Sequence, residues 1–408
     1  MDKAITKKFN FLLYYQCALA IGAILVFFTH LEMFLYLAGK TPPPTLLIIA
    51  FGLASTPLLF SFFSRIKYFS WSIIAWCAVY ILVSLISFSV SSASEEIVQE
   101  LSRRILAIIF ILLSILIFSK YTKVQLWVRY AILFIVLMSI CNILYEFVNP
   151  SAFQPVNYSG RPAGFYIDPN KAGLGLILGM IFSVGLLKPK YRAPFVLLVG
   201  ISIFLTFSRG ATLSWFVVLT ILCCTRLVPR SQLLYWFLGI FALSLSFGIG
   251  TLLNPDQLND MGLMNKNIEE RLEWFQNPFI SEDSADSRLE VAKLAWEMFA
   301  EHPFLGNGIG STLELDVGIS THNMYLLYMA DHGILGALVM PLLVYAVTQN
   351  ARGESKYIGF AFAGLILLWS IFSHTVLEDR FILISFSLMA VMNGMSQQEQ
   401  KYKVGEQL

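Results

Sequence analysis

Charged side chains are scarce in this sequence of 408 residues. Asp, Glu, Lys and Arg make up 13% of it, whereas roughly 25% is usual for a soluble domain. Hydrophobic residues account for 57%, and phenylalanine alone occurs 34 times. A water-soluble globule needs charged groups to cover its surface, and a disordered chain needs high charge with low hydrophobicity. The composition therefore argues against both classes and favours a polytopic membrane protein.

Cysteine is also scarce, and the spacings of metal-binding motifs are missing. The five cysteines all lie inside apolar runs, which favours neither a disulfide framework nor a metal site. No HxxxH, HExxH or DxD pattern occurs. The net charge of +2 gives no indication of a nucleic-acid partner. We therefore expect no metal, no cofactor and no nucleic acid.

Long apolar runs predict about twelve transmembrane helices, because a span needs about 20 mainly apolar residues. The chain should be an all-α polytopic membrane protein with a single integral membrane domain over residues 1–408. The basic start and the long apolar run after it predict an uncleaved first span rather than a signal peptide. The predicted spans are residues 10–37, 44–62, 69–90, 102–119, 125–147, 170–187, 193–208, 210–225, 232–252, 323–348, 357–373 and 380–396.

The distribution of lysine and arginine predicts the orientation. Basic residues concentrate in alternate short loops, whereas a loop of the other set, residues 91–100, is acidic. Because cytoplasmic loops are enriched in Lys and Arg, both termini should be cytoplasmic, and an even number of spans agrees. Arg103 and Arg104, just after the acidic loop, run against this trend.

The opposite, external side should carry the informative segments. Residues 253–322 are far longer than an ordinary connection and predict a long loop that contains short helices. Within it, residues 287–302 have apolar side chains at helical spacing, with Asp286 or Ser287 as the N-cap. The glycine-rich residues 302–311 should form a turn; they follow a helix rather than a strand, which argues against a dinucleotide loop.

Four arginines on the external side are candidates for binding an anion. Arg209 lies at a tight reversal between two short spans, and Arg161, Arg288 and Arg380 lie in or beside loops. Guanidinium groups match the oxygens of phosphate and pyrophosphate. The alternative for Arg209 is a side chain that snorkels to the interface. For the others it is a solvated loop charge, which is the preferred interpretation of Arg380.

Two further positions carry candidate polar chemistry. His322 lies between the long loop and an apolar span, where a neutral imidazole can accept a proton from a hydroxyl; the alternative is an interfacial or capping histidine. Asp168 and Asn170 can start a helix, and plain capping is the favoured interpretation of both. Asp331 and His332 lie within a predicted span, and we expect a buried polar pair.

Taken in order, these segments resemble the O-antigen ligases and the O-antigen or exopolysaccharide polymerases. The resemblance covers roughly residues 100–390. The motifs that carry it are GRPAGFYIDPN (160–170), FSRGA (207–211), SRLE (287–290), HPFLGNGIG (302–310), THNMYL (321–326) and DHGILG (331–336).

The resemblance implies a metal-independent, inverting membrane glycosyltransferase without a cofactor. Its donor would be a glycan on undecaprenyl pyrophosphate, its acceptor the lipid A–core saccharide in a ligase or another lipid-linked glycan in a polymerase. The protein would lie in the bacterial inner membrane, in contact with lipid, and its active site would face the periplasm, as would the loop 253–322. Ligase is slightly favoured over polymerase.

The same resemblance assigns roles to residues of this chain. Arg209 and Arg288 would bind the pyrophosphate, and His322 would act on the acceptor hydroxyl as the third catalytic residue. In a reaction without a metal, fixed cations must stabilise the charge that develops on the leaving group. The candidate substrate-binding residues are Arg161, Asp168, Asn170, Asn323 and Arg380.

Two other function classes stay open. A transporter or flippase for lipid-linked sugars would also need external cations and a lipid groove. However, transporters often carry inverted repeats and mid-membrane charges, and the sequence shows neither pattern. A non-catalytic scaffold of envelope assembly would tolerate substitution of Arg209, Arg288 and His322.

Overall fold

A computed structural model of the chain shows a bundle of helices. All regular structure in the described part is helical, which confirms the predicted all-α class. The structure describes residues 11–60, 70–91, 94–150, 152–153, 156, 160–246, 269, 283–314, 321–349 and 351–405.

The first half of the chain forms helices α1 to α8. A π-helical segment, Ile24–Phe28, follows α1, and a 3-10 turn, Gly164–Tyr166, precedes α8. The helices are α1 (Phe11–Ala23), α2 (Leu31–Leu37), α3 (Pro44–Ala54), α4 (Thr56–Leu59), α5 (Trp71–Val90), α6 (Glu95–Phe118), α7 (Thr122–Val148) and α8 (Pro169–Ser183).

The second half forms helices α9 to α16. Short 3-10 turns follow α8 at Val184–Leu186 and precede α13 at Ser311–Glu314. The helices are α9 (Pro189–Leu205), α10 (Arg209–Cys224), α11 (Arg230–Ser246), α12 (Asp283–Glu301), α13 (Met324–His332), α14 (Ile334–Thr348), α15 (Glu354–Phe372) and α16 (Arg380–Gly405).

Membrane-spanning length is reached by six helical stretches among the described residues. Four further apolar helices are shorter, at 10–17 residues. The chain is therefore a multi-pass membrane protein, as predicted, but the expected count of about twelve spans is not confirmed. The six stretches are Phe11–Phe28, Trp71–Val90, Glu95–Phe118, Thr122–Val148, Pro169–Leu186 and Glu354–Phe372.

Two predicted spans are interrupted. The apolar run 323–348 is divided into α13 and α14 at Gly333, whose φ of +62° is readily adopted only without a side chain. The run 10–37 breaks at His30, which has a φ of +59°. Both breaks fall at short polar segments, residues 29–32 and 331–333, which are too short to divide the apolar runs by composition alone.

The external amphipathic helix differs in detail from the prediction. In the described residues α12 already includes Asp283, so Asp286 and Ser287 lie inside it and the prediction that one of them caps its start is wrong. Its buried face is formed by Val291 and Ala295, whereas Leu289 is 56% exposed. The predicted helix is therefore present, but not every apolar side chain at the predicted spacing is buried.

The turn that follows α12 joins it to α13. Gly306, Gly308 and Gly310 all have positive φ, in agreement with the predicted turn. The Asn307 amide donates hydrogen bonds to the carbonyls of Met298 (2.8 Å) and Ala330 (3.1 Å). This turn therefore fixes the external helix against the helix that begins after His322.

A buried polar cluster anchors the same region to the bundle. Asp331 and His332 are both buried, as predicted. Arg104 of α6 donates to the carboxylate of Asp331 and to Nε2 of His332, the latter at 2.5 Å. The Ser311 hydroxyl donates to Asp331 at 3.1 Å. Arg104, which runs against the predicted orientation, thus pairs with a carboxylate of another helix, and buried charges of this kind persist only when they are paired.

Candidate active site

The reversal at Arg209 is built by an unusual backbone. Helix α9 ends at Leu205, Phe207 adopts a φ of +52°, and α10 begins at Arg209. The Ser208 hydroxyl accepts the backbone N–H of Ala211 at 3.3 Å and so caps α10. The tight turn that the sequence predicts is therefore present, and Arg209 lies partly buried in the first turn of α10.

This turn is hydrogen-bonded to the start of α8. Ser208 Oγ donates to Oδ1 of Asn170 at 2.7 Å. Asp168 caps α8, since its Oδ1 accepts the N–H groups of Asn170 (2.8 Å) and Lys171 (3.0 Å). Capping therefore accounts for Asp168, whereas Asn170 fixes the position of the loop that carries Arg209.

Arg161 supports the same turn from the other side. It is buried, and its Nη1 donates to the carbonyl oxygen of Phe207 at 3.2 Å. The segment after it is held by Glu146, whose Oε2 accepts the N–H groups of Ala163 and Gly164, both at 2.7 Å. Arg161 is therefore not a solvated loop charge.

His322 lies just before α13 in a left-handed conformation. Its φ is +47°, and its imidazole ring packs edge-on against that of His374, with the ring centroids 5.5 Å apart. Asn323 caps the helix, since its Oδ1 accepts the N–H groups of Tyr325 (3.0 Å) and Leu326 (3.2 Å). The cap fixes the backbone next to His322, so Asn323 has a structural role.

Three charged or titratable groups act on each other at this point. Burial lowers the pKa of His322, the positive charge of Arg288 lowers it further, and the negative charge of Asp168 partly offsets both. The His322 ring is therefore neutral at neutral pH, which is the form that accepts a proton. Arg288 itself is exposed on α12. The charges of Arg288 in α12 and of Asp168 at the start of α8 thus both act on His322.

The short loop between α15 and α16 contributes residues that the sequence did not single out. Lys171 Nζ lies 2.6 Å from Oδ1 of Asp379, and the Thr375 hydroxyl donates to Oδ2 of Asp379 at 2.7 Å. Burial, aided by His322, lowers the pKa of His374 to about 4, so this ring is neutral as well. The only sequence signal for His374, Thr375 and Asp379 was their position in a short loop that is predicted to be external, and Lys171 of α8 had none.

Arg380 lies close to a carboxylate of α2. It begins α16, its side chain is only 16% exposed, and Nη1 lies 3.8 Å from Oε1 of Glu32 in α2. The preferred interpretation of Arg380 as a solvated loop charge is therefore wrong. The sequence gives no reason to connect Arg380 to Glu32, because the two residues are 348 positions apart.

The arrangement suits the binding of an anion beside a proton acceptor. Arg288 supplies a positive charge that acts on His322, and the neutral His322 supplies a nitrogen lone pair. Arg209 follows Ser208, which is hydrogen-bonded to Asn170 at the start of α8, the helix that Asp168 caps. A phosphate group would interact with the arginine charge, and a hydroxyl that reacts beside this phosphate would hydrogen-bond to the histidine nitrogen. In the part of the chain that the structure describes, no three His, Cys, Asp or Glu side chains converge as metal ligands.

Comparison with known proteins adds a family. Residues 194–341 match a family model described as O-antigen ligase (Wzy_C), a segment that contains Arg209, Arg288, His322 and Asn323. The predicted resemblance is confirmed over this segment. None of the curated proteins matches the chain. The chain is also similar to one in a structure described as "Structural coordination of polymerization and crosslinking by a peptidoglycan synthase complex". The two chains are 15% identical, and the TM-score is 0.46. The match covers 80% of this chain and 98% of that chain.

Proposed function

We propose that this multi-pass membrane protein, with its O-antigen ligase segment at residues 194–341, transfers a glycan from undecaprenyl pyrophosphate to the lipid A–core saccharide. The observation that carries the proposal is that the charges of Arg288 and Asp168 both act on His322. The reaction would take place at the periplasmic face of the bacterial inner membrane, with both termini in the cytoplasm. The alternative acceptor is a second lipid-linked repeat unit, as in a polymerase.

The two arginines act on the leaving group. When the bond between the anomeric carbon and the pyrophosphate oxygen breaks, negative charge develops on that oxygen. Arg209 and Arg288 are positively charged at all working pH values and form two parallel hydrogen bonds to phosphate oxygens. Because these groups are held in place before the reaction, they stabilise the developing charge without a metal ion.

His322 acts on the acceptor. The acceptor oxygen attacks the anomeric carbon from the side opposite the pyrophosphate, so the configuration inverts, and the hydroxyl proton passes to the neutral imidazole. The low pKa of His322 makes it a weak base. A weak base suffices because pyrophosphate is a good leaving group and the hydroxyl needs mainly alignment.

The test uses the purified full-length protein in lipid nanodiscs with a synthetic undecaprenyl-pyrophosphate-linked repeat. Either core lipid or more repeat is supplied as the acceptor, in the presence of a metal chelator. We expect glycan on the core lipid and a release of undecaprenyl pyrophosphate. Elongated lipid-linked glycan would identify a polymerase instead. Movement of the glycan across the bilayer while it stays on its carrier would identify a flippase and refute the transferase proposal.

Matched variants separate chemistry from folding. We expect Arg288→Ala to lower the transfer rate by roughly 10²–10³, the usual cost of removing one charge-stabilising donor. Arg288→Lys should rescue poorly because it loses the two-pronged geometry. Lys293→Ala, which removes an exposed cation from the same helix, is the control and should transfer at the wild-type rate. Wild-type transfer by Arg288→Ala would contradict the mechanism. A scaffold would be indicated if the purified wild-type protein transferred no glycan while substitution of Arg209, Arg288 and His322 left its function in cells intact.

A further inference from the structure

A cavity of about 210 Å³ lies between α2, α3, α6 and the loop before α16. The apolar part of its lining includes Met33, Ile48 and Phe110. The polar side chains of the lining include His30, Lys171 and Arg380. A lining that combines apolar side chains with a few polar groups is the usual construction of a small-molecule site.

Two buried polar atoms in its wall lack a hydrogen-bond partner among the described residues, namely Nδ1 of His30 and Nε of Arg380. His30 is only 3% exposed, and its Nδ1 lies 3.4 Å from Oε1 of Glu32 without a hydrogen bond to it. An unsatisfied buried polar group costs about 1–3 kcal/mol, so such groups are rare unless a ligand or water completes them. The polar part of the lining therefore has unused hydrogen-bonding capacity.

The backbone that carries His30 is strained. The π-helical segment Ile24–Phe28 ends just before it, and His30 itself has a φ of +59°. Both features are uncommon, and both are found preferentially at functional sites. The break separates α1 from α2 at His30, which lines the cavity, and the buried Glu32 follows in the first turn of α2.

The charges around the cavity favour a neutral ligand. Each cation in its wall already has a carboxylate nearby: Lys171 has Asp379 at 2.6 Å, and Arg380 has Glu32 at 3.8 Å. At the rim, the 46% exposed Arg103 lies 3.9 Å from Glu378. A phosphate would have to compete with these carboxylates. Sugar hydroxyls both donate and accept hydrogen bonds, so they can use the donors and the acceptors of this wall together.

The cavity adjoins the candidate active site. Lys171, in its wall, follows Asn170 in the first turn of α8, and Thr375 follows His374, whose ring packs against His322. Its volume lies below the roughly 300–1,000 Å³ of drug-sized pockets, which fits one sugar ring rather than an oligosaccharide. We propose that this cavity binds one sugar ring of a glycan substrate beside His322. The inference rests on the proposed function.

The first test measures binding without any transfer reaction. Methyl glycosides of hexoses and N-acetylhexosamines are offered to the full-length protein in nanodiscs, and binding is followed by saturation-transfer difference NMR. Ala107 lines the cavity and is 5% exposed, so Ala107→Phe should fill it and weaken binding at least about tenfold. Ala78→Phe makes the same change on the exposed face of α5 and should leave binding unchanged.

A second variant guards against misfolding of the first. His30→Asn removes the imidazole but keeps a residue that tolerates the left-handed backbone, and it should also weaken binding. The proposal is overturned if no glycoside binds to the wild-type protein, or if both variants bind as well as wild type does. It is also overturned if inorganic pyrophosphate, rather than the glycosides, loses affinity in Ala107→Phe, since the cavity would then be an anion site.

The transfer assay then identifies the source of the sugar. A rise in the KM for the acceptor alone in His30→Asn assigns the cavity to the acceptor, and a rise for the donor alone assigns it to the donor; both outcomes support the proposal. Unchanged KM values for both substrates would overturn it. If the wild-type protein transfers no glycan while Ala107→Phe still abolishes glycoside binding, the cavity is a sugar site and only the proposed transfer reaction is refuted.

Discussion

At the residue scale, the candidate site depends on opposing charges around one imidazole. Arg288 lowers the pKa of His322 and Asp168 raises it, while burial sets the larger part of the shift. The net result is a neutral ring beside positive charge. A protonated ring would instead add a cation but lose the ability to accept a proton from a hydroxyl.

The pH dependence of transfer follows from this arrangement. Because the reactive form of His322 is neutral and its pKa is lowered, the rate should be constant near neutral pH and fall only below the usual pKa of 6.5. Asp168→Asn retains a capping side chain but removes the negative charge that raises the pKa. We therefore expect its acid limb to move to lower pH in a pH–rate profile.

Two outcomes would contradict this prediction. An acid limb that does not move in Asp168→Asn, with only a lower rate at every pH, would mean that Asp168 acts through the α8 cap alone. A limb that moves to higher pH would show that the sign of its electrostatic effect on His322 is wrong. The Asp168→Ala variant provides the comparison, since it removes the charge and the cap together.

Residue chemistry was predictable from the sequence only in part. Arg209, Arg288 and His322 were chosen from their types and their external positions, and their catalytic roles stay predictions. Lys171 and His374 were not chosen as site residues. A lysine after a helix cap and a histidine in a short loop are common, and only their contacts distinguish them.

At the element scale, close packing of small residues positions the turn that carries Arg209. A Cβ atom added at Gly173 of α8 would lie 2.4 Å from the Cβ of Ala211 in α10. Glycine therefore allows these two helices to touch near their first turns, where Asn170 bonds to Ser208. Such small-residue contacts are typical of helix packing in membranes.

A size swap tests this contact. Gly173→Ala should push α8 and α10 apart and destabilise the protein by about 1–3 kcal/mol, the usual cost of overpacking. The double variant Gly173→Ala/Ala211→Gly moves the methyl group across the interface and should recover most of the stability and of the transfer activity. The measurement is thermal unfolding in detergent, with Ala211→Gly alone as the control.

The size swap has a clear negative result. If the double variant is no more stable than Gly173→Ala, the contact between the two helices does not limit their approach. If stability recovers but transfer does not, the helices pack correctly while the loop with Asn170 and Ser208 has lost its geometry. The second result would mean that the hydrogen bond between Ser208 and Asn170, rather than the helix packing, determines the position of Arg209.

At the scale of the whole molecule, orientation is still a prediction. The positive-inside rule puts the connection before α15 in the cytoplasm and α12 outside, because cytoplasmic loops are enriched in Lys and Arg. In a variant with all five native cysteines replaced by serine, Glu290→Cys and Lys356→Cys introduce exposed thiols in α12 and α15. A membrane-impermeant maleimide should label position 290 in intact spheroplasts and position 356 only after lysis.

This labelling also tests the site of the reaction. Labelling of position 356 but not of position 290 in intact spheroplasts would put Arg288 on the cytoplasmic side and refute a periplasmic active site. Labelling of both positions without lysis would mean that positions 290 and 356 lie on the same side of the membrane and that an even number of spans separates them. The cysteine-free variant without added thiols gives the background of each measurement.

The sequence by itself determined the membrane class and most helices, because a bilayer imposes a local requirement: each span must be apolar along its own length. Only the tertiary structure decided which external side chains meet. Lys171 and Asp379 are 208 residues apart, and Arg104 and Asp331 are 227 apart, yet each pair is in contact. No local pattern encodes such contacts, since they depend on how the helices pack, on breaks such as that at His30, and on the few glycines that allow close approach.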